Sequence, residues 1–268
     1  MREIGCCTWI FGGEDLAAIA ARATRAGLTG VEIHGDLALD PARAGRIFRE
    51  AGLEIWSVTP GDADISHPDA GIRDAGLDYY RRLLDWAAAL GHAPRIGCHG
   101  QVGRIRPVST QADEDAHLAD SVAQICAWAG GRPVCFEILN RYESHQIRSV
   151  AEGLALIGRV GAANLRLLPD AYHMNIEEAD PAAALRAGGD RIGLYHLADN
   201  HRGAVGEGHT DFAAQLAALD AIGFGGPLIV EPAAPGPDPF NTDKGPGYRD
   251  RLEAIVTRSV RAIRAMGH

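Results

Sequence analysis

The chain has 268 residues, of which 46% are hydrophobic, and a formal net charge of −9. That is enough apolar material for one large core, and the charge has the wrong sign for a protein built to grip a phosphate backbone, so nucleic acid is excluded as an expected partner. Five cysteines, including the neighbours Cys6 and Cys7, form neither a disulfide framework nor a paired C-x-x-C zinc pattern, and a reducing compartment is expected. The N-terminal stretch M-R-E-I-G-C-C-T-W carries charges and glycine where a signal peptide needs an apolar segment, and no apolar run approaches the roughly 18 residues of a membrane span. The expectation is a soluble cytoplasmic protein with no membrane partner.

Short apolar runs alternate with alanine-rich amphipathic stretches from end to end, which predicts a parallel sheet with helices outside it. Strands are expected near 4–9, 31–34 and 53–58, with helices over 14–27 and from Asp40-Pro41 to Gly52, where aspartate caps and proline fits the first turn. The long segment T-P-G-D-A-D-I-S-H-P-D then reads as a loop able to serve as a lid. It precedes a helix over 69–91, a strand over 95–99, and a helix over 111–130. A fifth strand starts at Val134. After it come a helix over 146–161, a strand over 165–170, a short helix after Asp180-Pro181, a strand over 192–197, a helix over 212–222, a strand over 228–231 and a last helix over 248–266. Eight strands and eight helices in alternation predict an α/β fold, a single-domain (β/α)8 TIM barrel over 1–268, with its active site at the C-terminal ends of the strands.

Four of those ends carry chemistry. V-C-F-E ends in Glu137, L-R-L-L-P-D in Asp170, I-G-L-Y-H in His196 and P-L-I-V-E in Glu231. The intervals of 33 (137 to 170), 26 (170 to 196) and 35 (196 to 231) residues each match one strand-plus-helix unit. Three carboxylates and one imidazole are hard ligands suited to Mn²⁺ first, then Mg²⁺ or Co²⁺. Any one of these acids alone reads as an ordinary polar residue closing a strand; four in register read as a metal site. In an eight-stranded ring, Glu137 and Glu231 face each other with two strands between them. That suits epimerisation beside a carbonyl, one glutamate removing a carbon-bound proton and the other returning one from the opposite face. Lys244, the only lysine, lies in a Pro/Gly-rich loop, which disfavours Schiff-base chemistry and leaves carbanion stabilisation to a metal.

The blocks E-I-L-N-R-Y-E (137–143), D-A-Y-H-M-N-I-E-E (170–178), H-L-A-D-N-H-R (196–202) and E-P (231–232) resemble the signature blocks of ketose 3-epimerases of the D-tagatose and D-psicose (D-allulose) type, within the xylose isomerase-like barrel superfamily. The resemblance implies a divalent metal held by Glu137, Asp170, His196 and Glu231, with Glu137 and Glu231 as the acid/base pair at C3 of a ketose, acting through a cis-enediolate. It further implies that Glu143, His173 and Arg202 hold the substrate's O1 and O2 end. Read singly, these three are a loop salt bridge, a core histidine and a solvated arginine. A homodimer or homotetramer is expected on the same ground. The chain departs from the family pattern in two places: Cys6-Cys7-Thr8-Trp9 at the strand-one exit, and A-A-P-G-P-D-P-F-N-T-D-K-G-P-G after Glu231. Both would shape the pocket around the sugar's distal carbons. Trp9, as a stacking platform or a core residue, and His34 and His99, ending strands two and four, complete the candidate pocket.

Other readings keep the barrel and change the chemistry. Isomerisation of hydroxypyruvate or an inosose, or inosose dehydration, fits the ligand frame, but chains of the hydroxypyruvate isomerase kind generally lack the N-R-x-E and H-M-N-I-E-E extensions. Abasic-site endonucleases of the endonuclease IV type share the G-E-G after strand seven, yet their Asp-x-His pair is replaced here by Asn200 and Arg202. A non-catalytic sugar-binding protein would keep the metal and turn over no ketose.

Overall fold

Eight strands of three to six residues, all parallel, follow one another around a ring in the order β6-β5-β4-β3-β2-β1-β8-β7. They are β1 (Ile4–Cys7), β2 (Gly30–His34), β3 (Glu54–Thr59), β4 (Arg95–Cys98), β5 (Val134–Glu137), β6 (Leu165–Leu168), β7 (Tyr195–Leu197) and β8 (Leu228–Val230). Single bridges at Leu167–Ile192 and Asp170–His196 join β6 to the β7 side, so the sheet is a nearly closed barrel. The structure is a computed structural model, and the residues it describes are 1–237 and 241–268. Part of the family departure after Glu231, at 238–240, lies outside them.

Among the described residues nine α-helices cover the barrel: α1 (Leu16–Arg25), α2 (Pro41–Glu50), α3 (Ala70–Ala88), α4 (Gln111–Trp128), α5 (Val150–Val160), α6 (Ala171–Glu177), α7 (Pro181–Gly188), α8 (Phe212–Ala221) and α9 (Tyr248–Ala265). Eight of them start at an Asp, Ser or Thr whose side chain accepts a first-turn N–H, as at Asp15, Asp40, Thr110 and Ser149. Each such cap stabilises its helix by about 1 kcal/mol. The apolar faces of the helices pack on outward-facing strand residues in one continuous core that includes Phe48, Tyr80, Leu83 and Phe136. No helix among the described residues is long and apolar enough to cross a membrane.

Two expectations need correction. A seven-residue helix, α6, follows directly on the Asp170 strand exit, so nine helices replace the eight expected. The segment 60–69 is anchored rather than free to act as a lid. Ile65 is fully buried, its carbonyl accepts from Ser121 Oγ at 2.7 Å, and Ser66 Oγ donates to Gln146 Oε1 at 2.8 Å. Arg104 ties the same loop down through Asp64 and reaches Glu114, so that guanidinium is committed to structure rather than to an anionic substrate.

Candidate active site

Strand register brings the four strand-exit residues together. His196 pairs laterally with Asp170 on one side and with Ile229 on the other, and Glu231, two residues beyond Ile229, points to the same side of the sheet. Glu137 closes β5, which is separated from β8 by β6 and β7 on one side and by four strands on the other. Ligand atoms from Glu137, Asp170, His196 and Glu231 all lie within 4.8 Å of one another. His196 Nδ1 is 3.5 Å from Glu137 Oε1 and 3.3 Å from Glu231 Oε2. Both ring nitrogens of His196 are buried and make no hydrogen bond of good geometry, and Nδ1, which faces Glu137 and Glu231, is one that a cation would satisfy.

A second cluster, Cys7, Glu32, His196 and Glu231, shares two of those residues. Its extra donors are already committed. Burial, reinforced by Glu231 and Glu32, pushes the Cys7 thiol well above its ordinary range and keeps it protonated. Glu32 accepts from Ser57 Oγ at 2.5 Å and Thr59 Oγ1 at 2.6 Å. The all-oxygen-plus-imidazole set is the one that fits a hard divalent ion.

Glu32 is a buried member of the cluster that the sequence reading missed. It is 1% exposed, sits opposite Cys7 on β1 and Ser57 on β3, and places Oε1 3.1 Å from His196 Nε2. A carboxylate on one imidazole nitrogen fixes the tautomer and turns the other nitrogen to the metal. The available signal was a lone glutamate in the apolar strand G-V-E-I-H, since a fully buried carboxylate is rare unless paired.

Electrostatics reflect this crowding. Burial raises Glu137 and Asp170 above the usual carboxylate range. Burial would raise Glu231 as well, but His196 and Arg202 beside it hold it well below that range. Burial alone would depress His196; Glu231 and Glu32 outweigh it and hold the imidazole protonated. Metal binding would displace that proton.

Arg202 stands over the cluster. Its Nη1 donates to Asp170 Oδ2 at 2.9 Å and to Glu231 Oε2 at 3.0 Å, and its guanidinium lies 4.0 Å above the Tyr172 ring. The backbone there has φ of +59°, a conformation costing a non-glycine residue on the order of 1 kcal/mol and one that clusters at functional sites. His173 is fully buried, with Nδ1 2.7 Å from Asn140 Nδ2 and Nε2 3.4 Å from Asp170 Oδ2; burial lowers it to about 4, so it is neutral. Glu143 accepts from the same Asn140 amide at 3.1 Å, and burial raises its carboxyl. Asn140 therefore joins two of the three expected substrate contacts, a role not foreseen.

The remaining candidates divide. Trp9 lies in a 3₁₀ turn after β1 and donates its indole N–H to Glu231 Oε1 at 3.1 Å, so it belongs to the centre. Cys7, read as core filler, also reaches Glu231 Oε1 at 3.3 Å. His99 is buried with Nδ1 2.5 Å from the carbonyl of Gly100. His34 is half-buried, with Nδ1 unpartnered, and lines a separate cavity. In the G-E-G segment the N–H groups of Gly206 and Gly208 donate to buried Asp199, so they are not free to cradle a phosphate.

The model of the xylose isomerase-like TIM barrel matches residues 20–257. The chain belongs to the xylose isomerase-like TIM barrel family. Within that family it is similar to an L-ribulose 3-epimerase of Mesorhizobium japonicum, 34% identical over 67% of this chain and 61% of that protein's length. It is 32% identical to an L-ribulose 3-epimerase of Methylomonas sp. over 85% of this chain and 84% of the relative. It is 30% identical to a 3-dehydro-D-guloside 4-epimerase of Escherichia coli over 86% of this chain and 90% of the relative. A solved L-ribulose 3-epimerase structure superposes with a TM-score of 0.87 at 26% identity, covering 99% of this chain and 94% of that one.

Proposed function

We propose that the protein is a divalent-metal-dependent sugar epimerase that inverts C3 of a ketose. The observation that carries this reading is the convergence of Glu137 and Glu231, from strands separated around the barrel, on one orphaned imidazole nitrogen together with Asp170. The names of the relatives, ketose epimerases on the same barrel, support it.

Glu137, Asp170, His196 and Glu231 would hold the ion, Mn²⁺ by the donor set, with Mg²⁺ or Co²⁺ as substitutes. When bound, the ion supplies Lewis-acid polarisation of the substrate's carbonyl and neighbouring hydroxyl oxygens. One glutamate takes the proton from C3, and the C–H electron pair becomes the C2–C3 double bond of a cis-enediolate as the carbonyl oxygen gains charge. The other glutamate then delivers a proton to the opposite face of C3, the carbonyl re-forms, and no redox partner is needed. Glu143, His173 and Arg202 would hold the O1 and O2 end, Arg202 as a permanent cation and His173 as a neutral imidazole. Aldose–ketose isomerisation requires proton transfer on one face only and would leave the second glutamate with no proton to transfer.

The test is incubation of Mn²⁺-reconstituted protein with a panel of free ketoses in D₂O, followed by proton NMR after metal removal. Deuterium at C3 with a new C3 epimer is expected. Deuterium at C1 or C2 with an aldose product would replace epimerisation by isomerisation.

A further inference from the structure

Asn140 follows the exit of β5 and is 1% exposed, so its polar atoms depend on partners inside the protein. The side-chain oxygen accepts from the Tyr142 N–H at 2.8 Å, which fixes the amide's orientation and turns Nδ2 the other way. Nδ2 then meets two groups at once, Glu143 Oε1 at 3.1 Å and His173 Nδ1 at 2.7 Å. The main-chain N–H of Asn140 donates to the same Nδ1 at 3.3 Å.

A ring nitrogen that receives two N–H groups is the one without a proton. The side-chain amide could be turned over, but the main-chain N–H cannot, and by itself it requires a lone pair on Nδ1. Glu143 Oε1 lies 3.9 Å from Nδ1, too far to draw a proton onto that nitrogen. The proton of His173 is therefore on Nε2. That nitrogen lies 3.4 Å from Asp170 Oδ2, a contact too long for a strong hydrogen bond, and 3.3 Å from Arg202 Nη2. A guanidinium has donors only, so the contact with Arg202 sets two donors side by side. Nη1 of Arg202 is occupied by Asp170 and Glu231, whereas Nη2 makes no other hydrogen bond among the described residues. Two adjacent N–H groups short of an acceptor suit one oxygen that gains negative charge.

We propose that Asn140 is a positioning residue: it holds His173 as the Nε2–H tautomer, so that His173 and Arg202 together present two N–H donors to the substrate's carbonyl oxygen. The proposal rests on the epimerase reading above. When C3 loses its proton, the C–H electron pair becomes the C2–C3 double bond and the carbonyl pair moves onto oxygen, where both donors bind more tightly. His173 keeps its proton throughout, and proton exchange at C3 stays with the glutamates. Asn140 also holds Glu143 Oε1, which leaves the second carboxylate oxygen to accept from a substrate hydroxyl. The opposite tautomer would turn a lone pair toward the carbonyl oxygen and repel it.

Asn140→Asp is the test variant. It has nearly the same shape, and one oxygen can still accept from Tyr142, but the atom facing His173 Nδ1 becomes an acceptor and draws the proton onto that nitrogen. The first readout is a long-range proton–nitrogen NMR spectrum of Mg²⁺-loaded protein carrying nitrogen-labelled histidine, the His173 signals being those missing from His173→Gln. The native protein should show Nδ1 proton-free and Nε2 protonated, and Asn140→Asp should reverse them. A native His173 protonated at Nδ1 overturns the proposal with no assay of turnover. The second readout is kinetic, on whichever ketose of the D₂O panel exchanges fastest. Removing one donor from a developing oxyanion costs about 10²- to 10³-fold, so kcat of Asn140→Asp should fall by that factor while KM changes far less and Mn²⁺ affinity does not weaken. A loss of kcat matched by weakened Mn²⁺ binding would make Asn140 a merely structural residue. Asn140→Ala keeps the main-chain N–H, so it should keep the native tautomer and lose about tenfold less kcat than Asn140→Asp; equal losses in the two variants would also overturn the proposal. A native protein that shows the Nε2–H tautomer and exchanges no ketose proton would sink the epimerase reading, and the donor pair's task with it, but not Asn140's hold on His173.

Discussion

Replacing Glu32 by glutamine isolates the contact that orients His196. The carboxylate is fully buried, accepts from three donors, Ser57 Oγ at 2.5 Å, Thr59 Oγ1 at 2.6 Å and Cys7 Sγ at 3.5 Å, and lies 3.1 Å from His196 Nε2 as an ion pair. Glutamine keeps the shape but has one acceptor oxygen, and its NH₂ group must meet either the hydroxyls or the imidazole N–H. One hydrogen bond to a charged acceptor is lost, about 1.5–3 kcal/mol, and the imidazole loses the partner that directs Nδ1. Metal affinity should therefore fall by about 10- to 100-fold. The assay is Mn²⁺ competition against a chelating dye, with circular dichroism to establish that the barrel is folded. A folded Glu32→Gln protein whose Mn²⁺ affinity stays within about twofold of the native value would refute the orienting role.

Arg202→Ala should separate substrate from metal. The guanidinium occupies Asp170 and Glu231, so its removal should leave Mn²⁺ affinity equal or tighter while KM for the ketose rises roughly tenfold or more; weaker metal binding with unchanged KM would reverse the assignment. Exhaustive chelation should abolish turnover, and Mn²⁺ or Co²⁺ should restore it; activity that survives chelation contradicts a metal mechanism. Away from the site, Glu114 is buried and accepts N–H bonds from Val108 and Ser109 at 2.6 and 2.7 Å in addition to its Arg104 contact. Burial would raise its carboxyl, but those donors hold it down to about 2. A folded value below the unfolded one means the stabilisation, about 3 kcal/mol, is present above roughly pH 4.5 and fades as pH falls toward about 2. Urea titrations of Glu114→Gln should show the full deficit at pH 7 and about half of it or less near pH 3; an equal deficit at both would disprove the linkage.

The convergence of Glu137, Asp170, His196 and Glu231 was legible because a parallel barrel places the end of every strand at one mouth, and apolar runs that stop at these residues mark those ends directly. Their convergence needed only the alternation that established the barrel. Glu32 was not legible, because its partner His196 lies far along the chain and the charge sits inside a strand rather than at its exit. Helix α6 was hidden because seven residues are too few to display a helical period, whereas Asp170 both joins the cluster and caps the helix by accepting from the Tyr172 N–H. The 60–69 loop has the composition of a mobile segment, and only the burial of Ile65 under α4, through Ser121, reveals an anchor.

The central claim is that Glu137 and Glu231 serve opposite faces of one carbon. The most direct measurement is C3 deuterium exchange and epimer formation in D₂O for Glu137→Gln and Glu231→Gln, each loaded with Mn²⁺ to a measured occupancy. Each variant should remain folded and lose epimer formation by roughly 10²- to 10⁴-fold relative to the native protein at equal metal occupancy. Near-native exchange and inversion in either variant would remove that glutamate from the proton transfer and contradict the two-faced mechanism.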